Sequence, residues 1–126
     1  MFELKAERDV TVKSFSFYTD AARTGLIEVY TRVGTYQGNE LSSAGWSRIY
    51  SNSNVQQNGR DVLTSLGNFN TVVTIPKGSR QSFYIWTPNY VMYDDGGVEA
   101  AVLSQDASLV LYRGECTGVL SHTCFS

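Results

Sequence analysis

The sequence predicts an all-β fold: one β-sandwich domain of jelly-roll type, built from about eight short antiparallel strands. Three observations carry the prediction. Apolar and polar residues alternate along most of the chain, Gly, Pro, Asn and Asp break the alternation at intervals of about ten to fifteen residues, and no helix-period stretch is long enough to cover a parallel sheet. Composition agrees, since 8 Tyr, 6 Phe, 2 Trp and 11 Gly against only 17% charged residues suit strands and turns better than solvated helices.

The elements follow in order. "MFELKA" places Phe2, Leu4 and Ala6 on one face of a first strand. "DVTVKSFSFYT" starts in phase with Val10 and Val12 and continues out of phase with Phe15 and Phe17, which predicts one bent strand or two short ones. After the turn "TDAARTG", "LIEVYTRVG" alternates cleanly, setting Ile27, Val29 and Val33 against Glu28, Tyr30 and Arg32. Residues 34–45, "GTYQGNELSSAG", read as loop.

"WSRIYSNSNV" is the next strand, and "QQNGRDVLTSLGNFN" is either a hairpin or a long irregular connection. "TVVTIP" is a strand stopped by Pro76, and "KGS" turns the chain into "RQSFYIWT", which ends before Pro88. "NYVMYDDGG", "VEAAVLSQD" and "SLVLYRG" complete the series, with a turn at Asp106. The strand over residues 80–87 has more apolar residues than one buried face needs. Phe83 and Ile85 point one way and Tyr84 and Trp86 the other, so something must cover or use the second face.

A chain of 126 residues fits a single domain spanning 1–126 and can bury a core without metal or a dense disulfide framework. The formal charge is −2 and the ten basic residues are scattered, which argues against a nucleic-acid partner. No apolar run has the length of a membrane span, and the N-terminal "MFELKAERDV" has no signal-peptide character, so an extracellular or secretory location requires a signal outside this sequence. Cys116 and Cys124 could close a short disulfide loop in an oxidising compartment or remain thiols in a reducing one.

No enzyme signature emerges. His122 is the one candidate base and lies beside Ser121 and Thr123 in the Cys-bounded loop, where a solvated histidine is the better reading than a triad. Asp94, Asp95 and Glu99 are acidic neighbours in "DDGGVE"; they are weak calcium candidates without EF-hand spacing, and a plain turn explains them better. The expectation is therefore no cofactor. What remains are aromatic and arginine side chains on strand faces turned from the aliphatic core: Tyr30 with Arg32, Trp46 with Arg48 and Tyr50, and Tyr84 with Trp86. Such residues bind proteins or stack on sugar rings, so a polysaccharide is one candidate partner and a further protein copy the other. For Tyr84 and Trp86, cover by loops or by a neighbouring subunit is preferred to an open platform.

The succession Met1 and Phe2, Asp9 to Val12 ("DVTV"), Ile27 to Tyr36 ("IEVYTRVGTY"), Gly45 and Trp46, and Ile75 to Ile85 ("IPKGSRQSFYI") resembles a β-sandwich domain family of predicted extracellular or secretory proteins in diatoms and other microbes. The resemblance covers nearly the whole chain. It implies a non-catalytic module used in assembly or adhesion, through self-association or protein partners, and supplies no catalytic residue. Members continue beyond a strand like Leu109 to Gly114 into one more strand, so the chain is expected to be a fragment or a variant lacking a final strand, with an edge open to pairing. The alternative function is a carbohydrate-binding module using Trp46, Tyr84 or Trp86.

Overall fold

The computed structural model describes residues 1–17, 19, 22–39, 42–59, 62–88 and 102–112. The described residues form ten strands, several of them only two or three residues long: β1 (Phe2–Ala6), β2 (Val10–Val12), β3 (Ser16–Phe17), β4 (Thr24–Val33), β5 (Ser47–Gln56), β6 (Thr64–Ser65), β7 (Val73–Ile75), β8 (Arg80–Trp86), β9 (Val102–Gln105) and β10 (Leu109–Tyr112). Among the described residues every strand pairing is antiparallel and there is no helix. The fold is all-β, and its two-layer packing is consistent with a β-sandwich.

One layer is a six-stranded sheet in the order β5-β4-β8-β1-β10-β9. The other is a narrow ribbon in which β2 pairs with β7 and β3 with β6. The change of phase at Lys13 to Phe15 interrupts the first ribbon strand, giving the two-strand alternative anticipated from the sequence. Across the interruption the ribbon stays joined by Phe69 N–H donating to the Lys13 carbonyl at 2.7 Å and Leu66 N–H donating to the Phe15 carbonyl at 3.2 Å. Between β5 and β7 the described residues form an irregular connection rather than a hairpin, with β6 the one regular piece among them.

The core lies between the layers. The sheet contributes Leu4, Ala6, Ile27, Val29, Ile49 and Phe83, and the ribbon contributes Val12, Leu66, Phe69, Val73 and Ile75. Period-two alternation produces this directly, because successive side chains on a strand leave opposite faces. Phe83 is 0% exposed at the centre, stacked on Phe2 with ring centroids 5.5 Å apart and met edge-on by Phe15 at 4.9 Å. Val33 departs from the pattern that placed it with Ile27 and Val29. It is 77% exposed because it ends β4 where the chain leaves through Gly34, whose φ of 88° is costly for any residue with a Cβ.

Two register shifts in β5 decide which side chains face which way. Val29 pairs with Tyr50 but Tyr30 with Arg48, so Ile49 is an extra residue. A second shift lies between the Gly25–Val55 and Ile27–Asn52 pairs. At the first, the Ile49 carbonyl turns from the ladder and accepts from Asn70 N–H at 2.9 Å, tying the edge of the large sheet to the ribbon. Both shifts also bend an edge strand whose Ser51, Asn52, Ser53 and Asn54 are exposed and polar. A bent, polar edge resists strand addition.

At the other end, the tight β9–β10 turn is set by Asp106, whose Oδ1 accepts from the Ser108 and Leu109 N–H groups at 2.6 and 2.8 Å. These two bonds hold the exposed carboxyl below its ordinary range. The stabilisation is present above the unfolded-state value and disappears as pH falls through the lower folded-state one.

Candidate functional site

The second face of the large sheet carries the chemistry. On β4, Glu28, Tyr30 and Arg32 alternate with the core residues, and their cross-strand partners on β8 are Trp86, Tyr84 and Ser82. On β5, Ser51 stands opposite Glu28 and Arg48 opposite Tyr30. Tyr30 and Tyr84 lie side by side, ring centroids 6.0 Å apart and planes 31° apart, as directly opposed residues of an antiparallel pair do. Trp46, just before β5, meets Tyr84 edge-on at 6.3 Å and 68°.

Beside these rings is a polar knot centred on Glu28. Arg48 donates through Nη1 to Oε2 at 2.9 Å, Ser51 donates through Oγ to the same oxygen at 3.3 Å, and the Tyr30 hydroxyl donates to Oε1 at 3.3 Å. Burial, and then the Glu28 charge, raise the Tyr30 hydroxyl above the ordinary tyrosine value. Because the folded-state value is the higher one, this contribution is full below the unfolded-state value and is lost as pH rises through the folded one. Spectrophotometric titration should show Tyr30 ionising later than the average tyrosine, with the delay reduced in Glu28→Gln. An unchanged titration curve in that variant would remove Glu28 as a cause.

A loop over part of this face answers what covers it. From Gly34, residues 34–39 and 42–46 fold back across β1, β8 and β4. The Ser82 hydroxyl donates to the Gly34 carbonyl at 2.6 Å, the Thr35 hydroxyl donates to Glu3, and Arg32 donates to the Ala44 carbonyl at 3.1 Å. Tyr36, in the middle of the loop, is only 1% exposed. Trp46 closes the loop by donating its indole N–H to the Asn39 carbonyl at 3.2 Å. Gly45 lets the loop settle: its φ is +80°, and a Cβ there would stand 3.0 Å from the Arg32 Nη1. Glu3, buried under this cover, is held by Arg80 at 3.1 Å as well as by Thr35. A buried carboxylate needs such partners.

The structure thus brings together Tyr30, Trp46, Arg48, Tyr84 and Trp86 on or beside one face. Tyr30, Trp46, Tyr84 and Trp86 are half-buried and Arg48 is exposed, while Arg32 lies apart from them, under the loop. Tyr50 does not join them, which corrects the grouping with Trp46 and Arg48. The extra residue at Ile49 inverts its direction, and Tyr50 is 5% exposed in the core, its hydroxyl donating to the Leu66 carbonyl at 2.8 Å and its ring against Phe69. Sequence reasoning missed two residues: Glu28, legible as the acidic member of the Tyr30 and Arg32 face, and Tyr36, a lone aromatic in an otherwise small and polar loop.

The calcium candidates Asp94, Asp95 and Glu99 and the cysteines Cys116 and Cys124 lie outside the described residues. Among the described residues, no three His, Cys, Asp or Glu side chains gather as a metal site would require, and no helix is long and apolar enough to cross a membrane. No protein-family model, no curated protein and no solved structure matches the chain.

Proposed function

We propose that the chain is a non-catalytic interaction module for assembly or adhesion in the extracellular or secretory space, contacting further copies of itself or other proteins through the Tyr30, Arg48, Tyr84 and Trp86 face. One observation carries the reading: the covering loop takes the Glu3 and Arg32 side of the outer face and leaves, at its border, half-buried aromatic rings beside an exposed arginine. Aromatic and arginine side chains supply most of the binding energy at protein interfaces. The bent, polar β5 edge favours contact by this face over strand addition there.

Sedimentation velocity over a wide concentration range tests it. The wild-type chain is expected to self-associate, and Tyr84→Ala and Arg48→Glu to weaken association at least about tenfold while far-UV circular dichroism shows both variants still folded at the assay temperature. A strictly monomeric wild type up to millimolar concentration would sink the self-association reading.

A second reading has its own supporting observation. Tyr30 and Tyr84 form a gently tilted floor, Trp46 a wall, and Arg48 with Glu28 and Ser51 a polar rim, an arrangement suited to the C–H face and hydroxyls of a pyranose. Binding on a glycan array that disappears in Tyr84→Ala would move the assignment to a carbohydrate-binding module. Neither reading invokes a cofactor.

A further inference from the structure

Tyr30 and Tyr84 are the one pair of tyrosines whose rings meet among the described residues. Tyr36 and Tyr50, by contrast, are buried. The pair is held by backbone as well as by ring contact. The two residues are direct partners of β4 and β8, and β5 and β1 flank these strands on their other sides, so the sheet resists separation of the two backbones. Directly opposed Cβ atoms stand about 5 Å apart, and the ring centroids are 6.0 Å apart. Both rings are half-buried rather than enclosed, so each can turn about its side-chain torsions while its backbone stays fixed. Two groups held in this way react as one molecule, at an effective concentration that two free phenols do not reach.

A base stands beside the pair. The Tyr30 hydroxyl donates to Glu28 Oε1 at 3.3 Å, while Arg48 and Ser51 fix the other carboxylate oxygen. Tyr30 keeps its proton at neutral pH, because burial and the Glu28 charge raise its hydroxyl above the ordinary value. A phenol that loses an electron becomes a strong acid, so an electron leaves this ring most easily when Glu28 takes the proton. We propose that Tyr30 and Tyr84 are a site of oxidative cross-linking, joined by a haem peroxidase and hydrogen peroxide into an intrachain dityrosine, with Glu28 as proton acceptor. Each phenol loses one electron and one proton, the Tyr30 proton passing to Glu28 Oε1 and the Tyr84 proton to water. The two phenoxyl radicals join through a new bond between their ortho carbons. The ring hydrogens displaced there leave as protons, and the phenol oxygens are reprotonated from solvent. Peroxide takes up the two electrons and two protons, its O–O bond breaks, and it leaves as two waters. The product ties together two central strands of a sheet whose strands carry no cysteine.

Treatment of the full chain at low micromolar concentration with a haem peroxidase and hydrogen peroxide tests the proposal. The expected product runs as a monomer on a denaturing gel, shows dityrosine fluorescence and has lost two hydrogen atoms. Tryptic digestion should join the peptide 24–32, whose one tyrosine is Tyr30, to the peptide 81–113, with fragmentation placing the bond at Tyr84. The cross-linked monomer should unfold at a higher denaturant midpoint, because the bond restricts the unfolded chain. Tyr30→Phe and Tyr84→Phe keep the rings and should each remove the product. Glu28→Gln keeps an acceptor oxygen but not a base, and in folded protein should slow product formation at least about tenfold. Three results would overturn the proposal: no dityrosine in the monomer, a monomer cross-link that survives Tyr84→Phe, or cross-linking confined to dimer-sized species, the last showing that tyrosines couple between copies. An undiminished rate in Glu28→Gln would remove Glu28 as the proton acceptor. The bond forms within one chain and needs no partner on this face, so its failure is separable from that of the interaction module.

Discussion

Phe83→Ala is expected to lower unfolding free energy by about 3–5 kcal/mol, the largest single-site loss in this fold, read as a shift in denaturation midpoint at constant slope. The ring is completely buried and is shared by both layers: Phe2 stacks on it from β1 of its own sheet and Phe15 meets it from the ribbon. Truncation leaves a cavity where aromatic rings of the sheet and the ribbon meet, and the strands on either side of β8 restrict collapse into it. Tyr84→Ala, one residue along the same strand and on the opposite face, should cost less than half as much, because its ring is half-buried against Tyr30 and Trp46 rather than enclosed. Equal losses at the two positions would mean that the two faces are not distinct in the way that the packing implies.

Tyr36→Ala is the second large effect, expected at about 3 kcal/mol although the residue belongs to a loop. A buried aromatic in a loop anchors the segment by packing, where a strand is anchored by its ladder. Tyr36 sits between the Thr35 contact to Glu3 and the turn closed by Asn39 N–H on the Tyr36 carbonyl at 2.8 Å. Loss of the ring should release the loop, and with it the indole of Trp46 that reaches the Asn39 carbonyl. In a Trp86→Phe background the Trp46 emission should therefore shift to the red in the folded variant. Unchanged stability together with unchanged emission would show that Tyr36 does not hold the cover down.

The same two positions mark how much was legible beforehand. Phe83 in the core and Tyr84 on the other face follow from alternation in "SFYIW" alone, since the pleat fixes side-chain direction within a strand. The β4 pattern of Ile27 and Val29 against Glu28, Tyr30 and Arg32 was equally readable, and so was the change of phase between Val12 and Phe15. Tyr50 was not. The pattern "WSRIYS" permits an unbroken strand with Trp46, Arg48 and Tyr50 on one side, and nothing local to it signals an extra residue at Ile49. That residue is accommodated because Asn70, twenty-one positions downstream, supplies a donor to its carbonyl. The covering loop is a similar case: its composition says only that it is irregular, and its place is set by Glu3, Arg32 and Ser82, which belong to three different strands.

By itself the sequence determined the all-β class, the positions of most strands and the two-faced character of β4 and β8, because these depend on side-chain volume, polarity and a period of two that each segment carries internally. Only the tertiary structure decided that Tyr50 turns into the core, that residues 34–39 and 42–46 cover part of the outer face, and that Glu28 gathers Arg48, Ser51 and Tyr30 beside the rest of it. Each of these depends on a hydrogen bond or ring contact between residues distant in the chain. Period and propensity determine which way a side chain points along its own strand, but the neighbour that it meets there is set by strand order and register.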